Sequence, residues 1–292
     1  MKLIPKEEID REKWDVLVKR FARGIHSYSW WLDEISESWC VYSDSEYTQG
    51  IALPFTERAG VKTLYNPIFS EYSEWFGEVE NIESLQNILT SNFDRGIFGM
   101  ENHELELEKE MFTVQRLTNK KPYSKMALRN IKKATEFGFE LVWGDDFDLV
   151  FKCIETELRD RATGMTKLNF ARLKKALIQA DKRSFLKILG IRKEGVLCGG
   201  ILFLESRNLF YYVKGAVNSE FKSKGAIYLG MDAGIQYAHE KELEFDFGGS
   251  RIEGVRRFNL QFGGEDVIRP FYTFNSAPKW YNLLQKFRKM TP

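Results

Sequence analysis

The pattern of apolar and polar positions is most regular in the second half of the chain. Apolar residues at helical spacing predict helices over residues 123–137, 147–162, 170–181 and 223–240. Continuous or alternating apolar runs predict strands over residues 139–142, 185–191, 196–204, 209–217, 243–247 and 267–274. Short turns join the strands between residues 185 and 217, which predicts an antiparallel meander. A helix joins the last of these to the next strand, so that pair is predicted to be parallel.

The first half repeats this order of elements. It predicts strands over residues 39–43, 49–55 and 61–66, then a helix over 81–89 and strands over 96–100 and 111–117. The polar, proline-containing link Thr118–Pro122 suits a boundary. We therefore expect an α/β (α+β) protein of two tandem domains, residues 1–120 and 121–292. Each would hold a mixed, mainly antiparallel sheet flanked by helices.

Composition narrows the class of protein. With 292 residues, 43% of them hydrophobic and 29% charged, the chain is typical of a globular protein. It has neither an apolar run of membrane-spanning length nor an apolar signal core near Met1, so we expect a cytoplasmic protein without a membrane span. The three Cys and three His residues are scattered, which predicts neither a disulfide framework nor a metal site. Glycine-rich phosphate loops and nucleophile elbows of known spacing are also missing from the sequence.

The net charge of +1 hides an uneven distribution. Residues 1–120 carry 13 basic and 22 acidic side chains, whereas residues 121–292 carry 30 basic and 20 acidic ones. The neutral total argues against a strongly cationic DNA-binding protein. The basic second half either handles an anionic ligand or reflects chance and an attractive interface between the halves.

Three segments carry a family resemblance. These are Leu128–Gly138 (LRNIKKATEFG), Asn218–Asp232 (NSEFKSKGAIYLGMD) and Phe245–Gly264 (FDFGGSRIEGVRRFNLQFGG). They resemble segments of FemAB-like proteins, and the order of meander, helix and parallel strand resembles the GNAT acyltransferase fold. The chain is thus identified as a tandem GNAT protein of the FemAB-like and BioF2-like acetyltransferase superfamily.

The resemblance implies transfer of an acyl or aminoacyl group to an amine. In GNAT enzymes a loop that opens the helix after the meander holds the pyrophosphate of acyl-CoA, which implies a role for Lys222, Ser223, Lys224, Gly225 and Ala226. The second glycine position of that loop is replaced here. The alternative interpretation is an ordinary helix start capped by Ser223.

The resemblance also places the acyl group beside the strand over residues 209–217. Tyr211 and Tyr212 would project to opposite faces of this strand, and one of them is the candidate general acid for the leaving group. Tyr212 is preferred, and the alternative is that both are core aromatics. Lys214 is a candidate substrate-binding residue, and with Gly215 it predicts a local bulge or splay.

The strand over residues 243–247 adds candidates for the acceptor side. Asp246 would accept a proton from, or orient, the incoming ammonium; the alternative is an exposed alternating polar position. Gly248 and Gly249 allow close approach, and Arg251 is the preferred acceptor-binding residue unless it is a solvated loop charge.

The sequence also departs from the family pattern. FemAB-like bridge-forming enzymes often carry Lys where Asn259 follows Phe258 here, which weakens the case for aminoacyl-tRNA chemistry. We therefore favour acyl-CoA as the co-substrate, without a metal, and a small-molecule or peptidoglycan-precursor amine as the acceptor. The first half would have lost donor binding and would shape the acceptor cleft. The alternatives are an aminoacyl-tRNA-dependent transferase acting on a peptidoglycan precursor, and a catalytically degenerate GNAT module that only binds.

Overall fold

The computed structural model describes residues 1–70, 72–77, 82–119, 121–159, 165–249 and 252–283. Within them the chain forms two compact units. Unit 1 comprises Met1–Ala22, His26–Phe112 and Arg269–Pro292, and unit 2 comprises Arg23–Ile25 and Thr113–Ile268. The predicted domain boundary after residue 120 stays a prediction. The two units differ from the two predicted domains because the C-terminal segment Arg269–Pro292 belongs to unit 1.

Unit 1 is a mainly antiparallel sheet flanked by helices. Its helices are α1 (Arg11–Phe21), α2 (Ser29–Ile35) and α3 (Ile82–Asn92). Its strands are β1 (Lys2–Pro5), β2 (Ser38–Ser43), β3 (Gly50–Arg58), β4 (Val61–Tyr65), β5 (Ser73–Phe76) and β6 (Arg95–Glu101). Strands β1 to β4 follow each other antiparallel, and β4 and β6 are parallel.

Two long strands contribute residues to both units, because the unit boundaries fall within them. They are β7 (Glu108–Leu117) and β13 (Glu265–Asn275). In unit 1, residues 271–275 of β13 pair antiparallel with β6. Tyr272 of this segment is fully buried in the core cluster of unit 1, beside Phe98.

Unit 2 repeats the arrangement with more helices. These are α4 (Lys125–Phe137), α5 (Phe147–Arg159), α6 (Lys167–Asp181), α7 (Ala226–Glu240) and α8 (Glu253–Leu260). The further strands are β8 (Glu140–Trp143), β9 (Leu186–Lys193), β10 (Val196–Glu205), β11 (Leu209–Val217) and β12 (Glu244–Gly249). The order is β7-β12-β11-β10-β9-β8, with β11 and β12 parallel and the other pairs antiparallel.

Local sequence explains where the helices of unit 2 begin and end. Ser124 caps α4 by accepting a hydrogen bond from the backbone of Ala127, and Gly138 ends it in the left-handed conformation. Thr166 caps α6 in the same way. The apolar side of α7 packs on the sheet through Met231 and Ile235, which share a core cluster with aromatic residues of β10, β11 and β12.

The structure confirms the predicted fold class, both meanders and the predicted parallel pair of β11 and β12, and it shows that β4 and β6 of unit 1 are parallel as well. It adds elements that the pattern did not predict, namely β1, α1, α2, β5 and α8. The predicted helix over residues 223–240 begins later, at Ala226, because a 3-10 turn covers Ser219–Lys224.

Candidate active site

The parallel strands β11 and β12 of unit 2 pair at their beginnings and then separate. In the register of the described residues they pair only at Leu209 with Glu244, Phe210 with Phe245, and Tyr211 with Asp246. Strand β11 continues to Val217 and β12 to Gly249. Beyond Tyr211 no further pair joins β11 to β12 among the described residues, and this unpaired stretch is termed the opening.

A bulge lies at the start of this opening. Strand β10 pairs Leu202 with Lys214 but Phe203 with Tyr212, so Val213 is the extra residue. A bulge leaves its extra residue out of the ladder and turns the neighbouring side chains. The sequence predicted such an irregularity at Lys214 and Gly215, one residue further on.

Tyr212, the first residue after the last pair, is half-buried at the bulge. Its ring packs against the unit 2 core, with its centroid 6.1 Å from that of Phe203. Burial raises the pKa of the Tyr212 phenol to about 12, and a backbone hydrogen bond from Gly215 acts in the opposite direction. The phenol is therefore protonated at neutral pH and can donate a proton, while also serving as a core aromatic.

Asp246 is fully buried, so its interpretation as an exposed alternating polar position is wrong. Its Oδ2 lies 2.8 Å from Nε of Arg116 on β7, and its Oδ1 accepts a hydrogen bond of 2.8 Å from the backbone of Gly248. Both carboxylate oxygens are thus engaged. The proton-accepting role of Asp246 stays a prediction, and the geometry favours a role in holding β12 to β7.

Gly248 is part of a second irregularity. Strand β7 pairs Arg116 with Asp246 but Val114 with Gly249, so β12 carries an extra residue between them. Gly248 has a φ of +72°, a backbone conformation that residues other than glycine rarely adopt. Glycine is therefore needed here to form the bend that places Gly249.

Gly225 begins α7 under a tight constraint. Its φ is +82°, and a Cβ atom there would lie 2.3 Å from the backbone oxygen of Asn130 on α4. This close approach requires glycine whether or not a ligand binds. Helix α7 has no side-chain cap, so Ser223, which lies within the 3-10 turn, does not cap it as the alternative interpretation expected.

The two lysines of the loop already have partners. Lys222 Nζ lies 2.8 Å from Oε2 of Glu157 on α5. Lys224 Nζ lies 5.1 Å from the ring centroid of Phe137 at the end of α4. The exposed Ser223 and the buried Ala226 complete the predicted loop. A phosphate at this loop would have to share the lysines with these groups.

The remaining candidates are divided between the two strands. Lys214 is half-buried on β11, and Gly249 lies opposite Val114 at the end of β12. Arg251 lies outside the described residues. Tyr212 and Lys214 thus lie on β11 and Gly248 lies on β12, the two strands on either side of the opening. The predicted phosphate loop lies at the start of α7.

Arg116, which the sequence reasoning missed, is 4% exposed and lies in the buried end of β7. An arginine in a buried run is a usable signal, because such a charge needs a partner. Asn259 was noted only as a departure from the family. It is buried, and its Nδ2 donates to Oε1 of Gln115, which in turn donates through Nε2 to Asp266. Asn259 thus holds α8 against β7.

Within the described residues, no group of three or more His, Cys, Asp or Glu side chains could hold a metal ion. The helices in the same part of the chain are too short or too polar to cross a bilayer.

Residues 123–258 match the family described as acetyltransferase (GNAT) domain. A search of proteins with curated function finds no significant match.

Solved structures share the fold over nearly the whole chain. One is FemX, with a TM-score of 0.63 and 12% identity, covering 93% of this chain and 97% of that one. Another is the C-terminal domain of a putative lysylphosphatidylglycerol synthetase from Agrobacterium fabrum, with a TM-score of 0.63, 9% identity and 95% of each chain covered. L-PGS from Bacillus licheniformis has a TM-score of 0.59, 11% identity and 96% of each chain covered.

These identities are low, so the solved structures establish the fold alone, and the family match supplies the activity class. Together they confirm the resemblance that the sequence indicated. Residues 123–258 thus match the acetyltransferase (GNAT) domain family, and the chain shares its fold with FemX.

Proposed function

We propose that unit 2 moves an acyl group from acyl-CoA to a primary amine. The observation that carries the proposal is the parting of β11 and β12 beside the bulge at Val213. An extended acyl-thioester arm fits such an opening, because the unpaired strand edges offer backbone hydrogen bonds to it. The bulged backbone N–H is a suitable donor to the oxygen that becomes negative during transfer.

The loop of Lys222, Ser223, Lys224, Gly225 and Ala226 would take the phosphates of the donor. Helix α7 starts without a side-chain cap, so its first N–H groups can point at an anion. The two lysines would add positive charge near the phosphates while they keep their contacts with Glu157 and the Phe137 ring.

The chemistry forms a C–N bond and breaks a C–S bond. The amine must be neutral when it attacks the thioester carbonyl, so its ammonium proton passes first to water or to a base. After the attack the nitrogen loses a second proton to water as the amide forms, and the leaving thiolate takes a proton from the Tyr212 hydroxyl, which is later reprotonated from solvent. Asp246, fixed by Arg116, would orient the acceptor side through β12.

The acceptor would be a small molecule or a peptidoglycan precursor with a primary amine. Lys214, Gly248, Gly249 and Arg251 are the proposed contacts, of which Arg251 is the group suited to a carboxylate or phosphate. We also propose that the protein acts in the cytoplasm, where acyl-CoA is available.

Titration calorimetry with acetyl-CoA and with CoA tests donor binding. The matched variants are Lys224→Ala and Lys193→Ala, because both lysines lie over the Phe137 ring, at 5.1 and 5.7 Å, and only Lys224 belongs to the loop. We expect Lys224→Ala to weaken CoA binding about three- to tenfold, the worth of one charge-assisted contact. Lys193→Ala should bind as the wild type does.

Absence of both heat and thermal stabilisation at millimolar acetyl-CoA would rule out the acyl-CoA proposal. Equal weakening by the two variants would assign the effect to packing around Phe137 and remove the loop from the donor site.

An aminoacyl-tRNA donor is the second candidate. The observation that favours it is that Gly225 is fixed by Asn130 and that both loop lysines have partners, so the loop is not a free phosphate cradle. This candidate predicts tRNA binding that weakens steeply with salt, since phosphate contacts release counterions. A filter-binding assay at low salt that detects no tRNA would exclude it.

A further inference from the structure

A cavity of about 410 Å³ opens at the outer edge of the unit 2 sheet. It lies beyond the end of β8, against the start of β9 and the last turns of α7. Its lining includes Trp143, Phe147, Asp181, Leu186, Lys187 and Tyr237. Tyr237 comes eleven residues after Ala226, about 16 Å along the axis of α7. The cavity is therefore distinct from the loop at the start of that helix.

One wall of the cavity is aromatic. Trp143 ends the edge strand β8 with 39% of its surface exposed, and its ring centroid lies 5.0 Å from that of Tyr237. Tyr237 is kept in place because its hydroxyl donates a hydrogen bond of 2.6 Å to Oε2 of Glu205. Large exposed indole surface at a cavity is suited to a ligand, and the indole face is the strongest aromatic attractor of cations.

Among the described residues, the charged side chains that line the cavity have ion-pair partners, with one exception. Asp145 receives hydrogen bonds from Nε and Nη2 of Arg192, at 2.8 and 2.7 Å. A Cβ on Gly190 would lie 1.8 Å from Asp145 Oδ2, so this pair is built closely into β9. Lys187 lies 3.5 Å from Glu205 and donates to the backbone oxygen of Ser184 at 3.0 Å.

Asp181, the last residue of α6, is the exception. Its carboxylate is exposed at the cavity and forms neither a hydrogen bond nor an ion pair with any residue that the structure describes. The cavity thus combines an aromatic wall with one uncompensated negative charge. Its volume falls in the range of small-molecule sites.

We propose that this cavity binds an organic cation of the alkylammonium class. The ammonium group would lie over the face of Trp143, with Asp181 supplying the counter-charge and Leu186 contacting the alkyl part. The site goes beyond the proposed transfer reaction, and it would bind its ligand whether or not acyl-CoA is the donor.

Ligand-observed saturation-transfer NMR tests the proposal with choline and its neutral isostere 3,3-dimethylbutan-1-ol, in a buffer free of amines. We expect saturation of the choline methyl groups and little for the isostere, because the attraction depends on the charge. Trp143→Leu should abolish the choline signal, and Trp143→Phe should weaken binding about two- to tenfold. Asp181→Asn should weaken it about two- to fivefold.

Two variants serve as matched controls. Trp280→Leu removes an indole that is 49% exposed elsewhere, and Glu194→Gln removes a carboxylate that is 82% exposed. Both should leave choline binding unchanged, and circular dichroism shows that each variant is folded. Equal saturation of choline and its isostere, no saturation of either, or choline binding retained in folded Trp143→Leu would overturn the proposal.

Discussion

Each unit contains two parallel strands that part after three pairs, yet only one unit keeps the opening. In unit 1, β4 and β6 pair from Thr63 and Arg95 to Tyr65 and Ile97. The short strand β5 then enters between β3 and β6, pairing with both. Among the described residues of unit 2, no strand takes that place between β11 and β12. The separation of two parallel strands is thus filled by another strand of the chain in unit 1, and in unit 2 it stays unpaired among the described residues.

The residue after the last pair shows the difference at atomic level. In unit 1 it is Asn66, which accepts a hydrogen bond from the backbone of Gly99 on β6 and donates one of 3.2 Å to Ser73 Oγ. In unit 2 it is Tyr212, whose hydroxyl lies beside Gly215. An amide that joins strands stabilises the fold, whereas a protonated phenol at an opening can take part in chemistry.

The largest effect is expected from Tyr212→Phe. Loss of a general acid lowers kcat by about 10²- to 10⁴-fold and leaves KM for the donor nearly unchanged. Release of the CoA thiol with a panel of primary amines measures this. Tyr228→Phe, at a half-buried tyrosine whose ring packs on Phe258, is the control with unchanged turnover. A wild-type kcat in Tyr212→Phe would mean that Tyr212 is not the general acid, so the two units would not differ in chemistry at this position.

The second largest effect is expected at the side of β12 that pairs with β7. Arg116→Met leaves the buried Asp246 without its cation, so the free energy of unfolding should fall by about 3–5 kcal/mol in urea denaturation. Arg257→Met, which breaks an exposed pair with Glu253 at 3.1 Å, should cost at most about 1 kcal/mol. Adding Asp246→Leu to Arg116→Met should recover much of the loss. Equal losses for the two arginine variants would mean that β12 does not depend on the buried pair.

A smaller effect is expected in unit 1. Asn66→Ala leaves the backbone N–H of Gly99 without its acceptor and should lower the free energy of unfolding by about 1–3 kcal/mol. Because β5 already fills the opening, kcat should not change. Asn92→Ala is the control, at an exposed asparagine whose side chain, among the described residues, hydrogen-bonds only to Ile88 of α3. A loss of kcat as large as that of Tyr212→Phe would make the two openings functionally alike.

The smallest effect is expected in the pH profile. The raised pKa of Tyr212, about 12, means that the donor form is lost only as pH rises towards that value. An ordinary tyrosine would lose it near pH 10 (about the unperturbed pKa). We therefore expect the wild-type kcat to show no decline due to Tyr212 up to about pH 10. A decline centred there and absent from Tyr212→Phe would mean that the phenol is solvated.

The sequence predicted the elements whose pattern is long and regular. Both meanders, helix α7 and the parallel strands after each meander follow from local periodicity and turn residues. Strand β5 has four residues, too few for a periodic pattern, so the local sequence does not predict it. Asp246 alternates with Phe245 and Phe247, which predicts exposure, but its partner Arg116 is 130 positions away in sequence. Local pattern cannot reveal such a pair.

Among the candidate site residues, Tyr212 and the loop before α7 could be proposed because the family pattern identifies their positions. The constraint on Gly225 could not, since it comes from the backbone of Asn130 in another helix. The cavity beside Trp143 could not be predicted from the sequence either, because its lining comes from five separate elements and the loop between β8 and α5.

The assignment of residues 269–275 to unit 1 has a consequence for synthesis. Tyr272 completes the core around Phe98, and its hydroxyl accepts a hydrogen bond from Leu105, yet it leaves the ribosome more than about 150 residues after them. At roughly 5–20 residues per second, the N-terminal sheet waits on the order of ten seconds or more with β6 uncovered. A nascent chain halted before Arg269 should therefore be sensitive to protease in its first hundred residues.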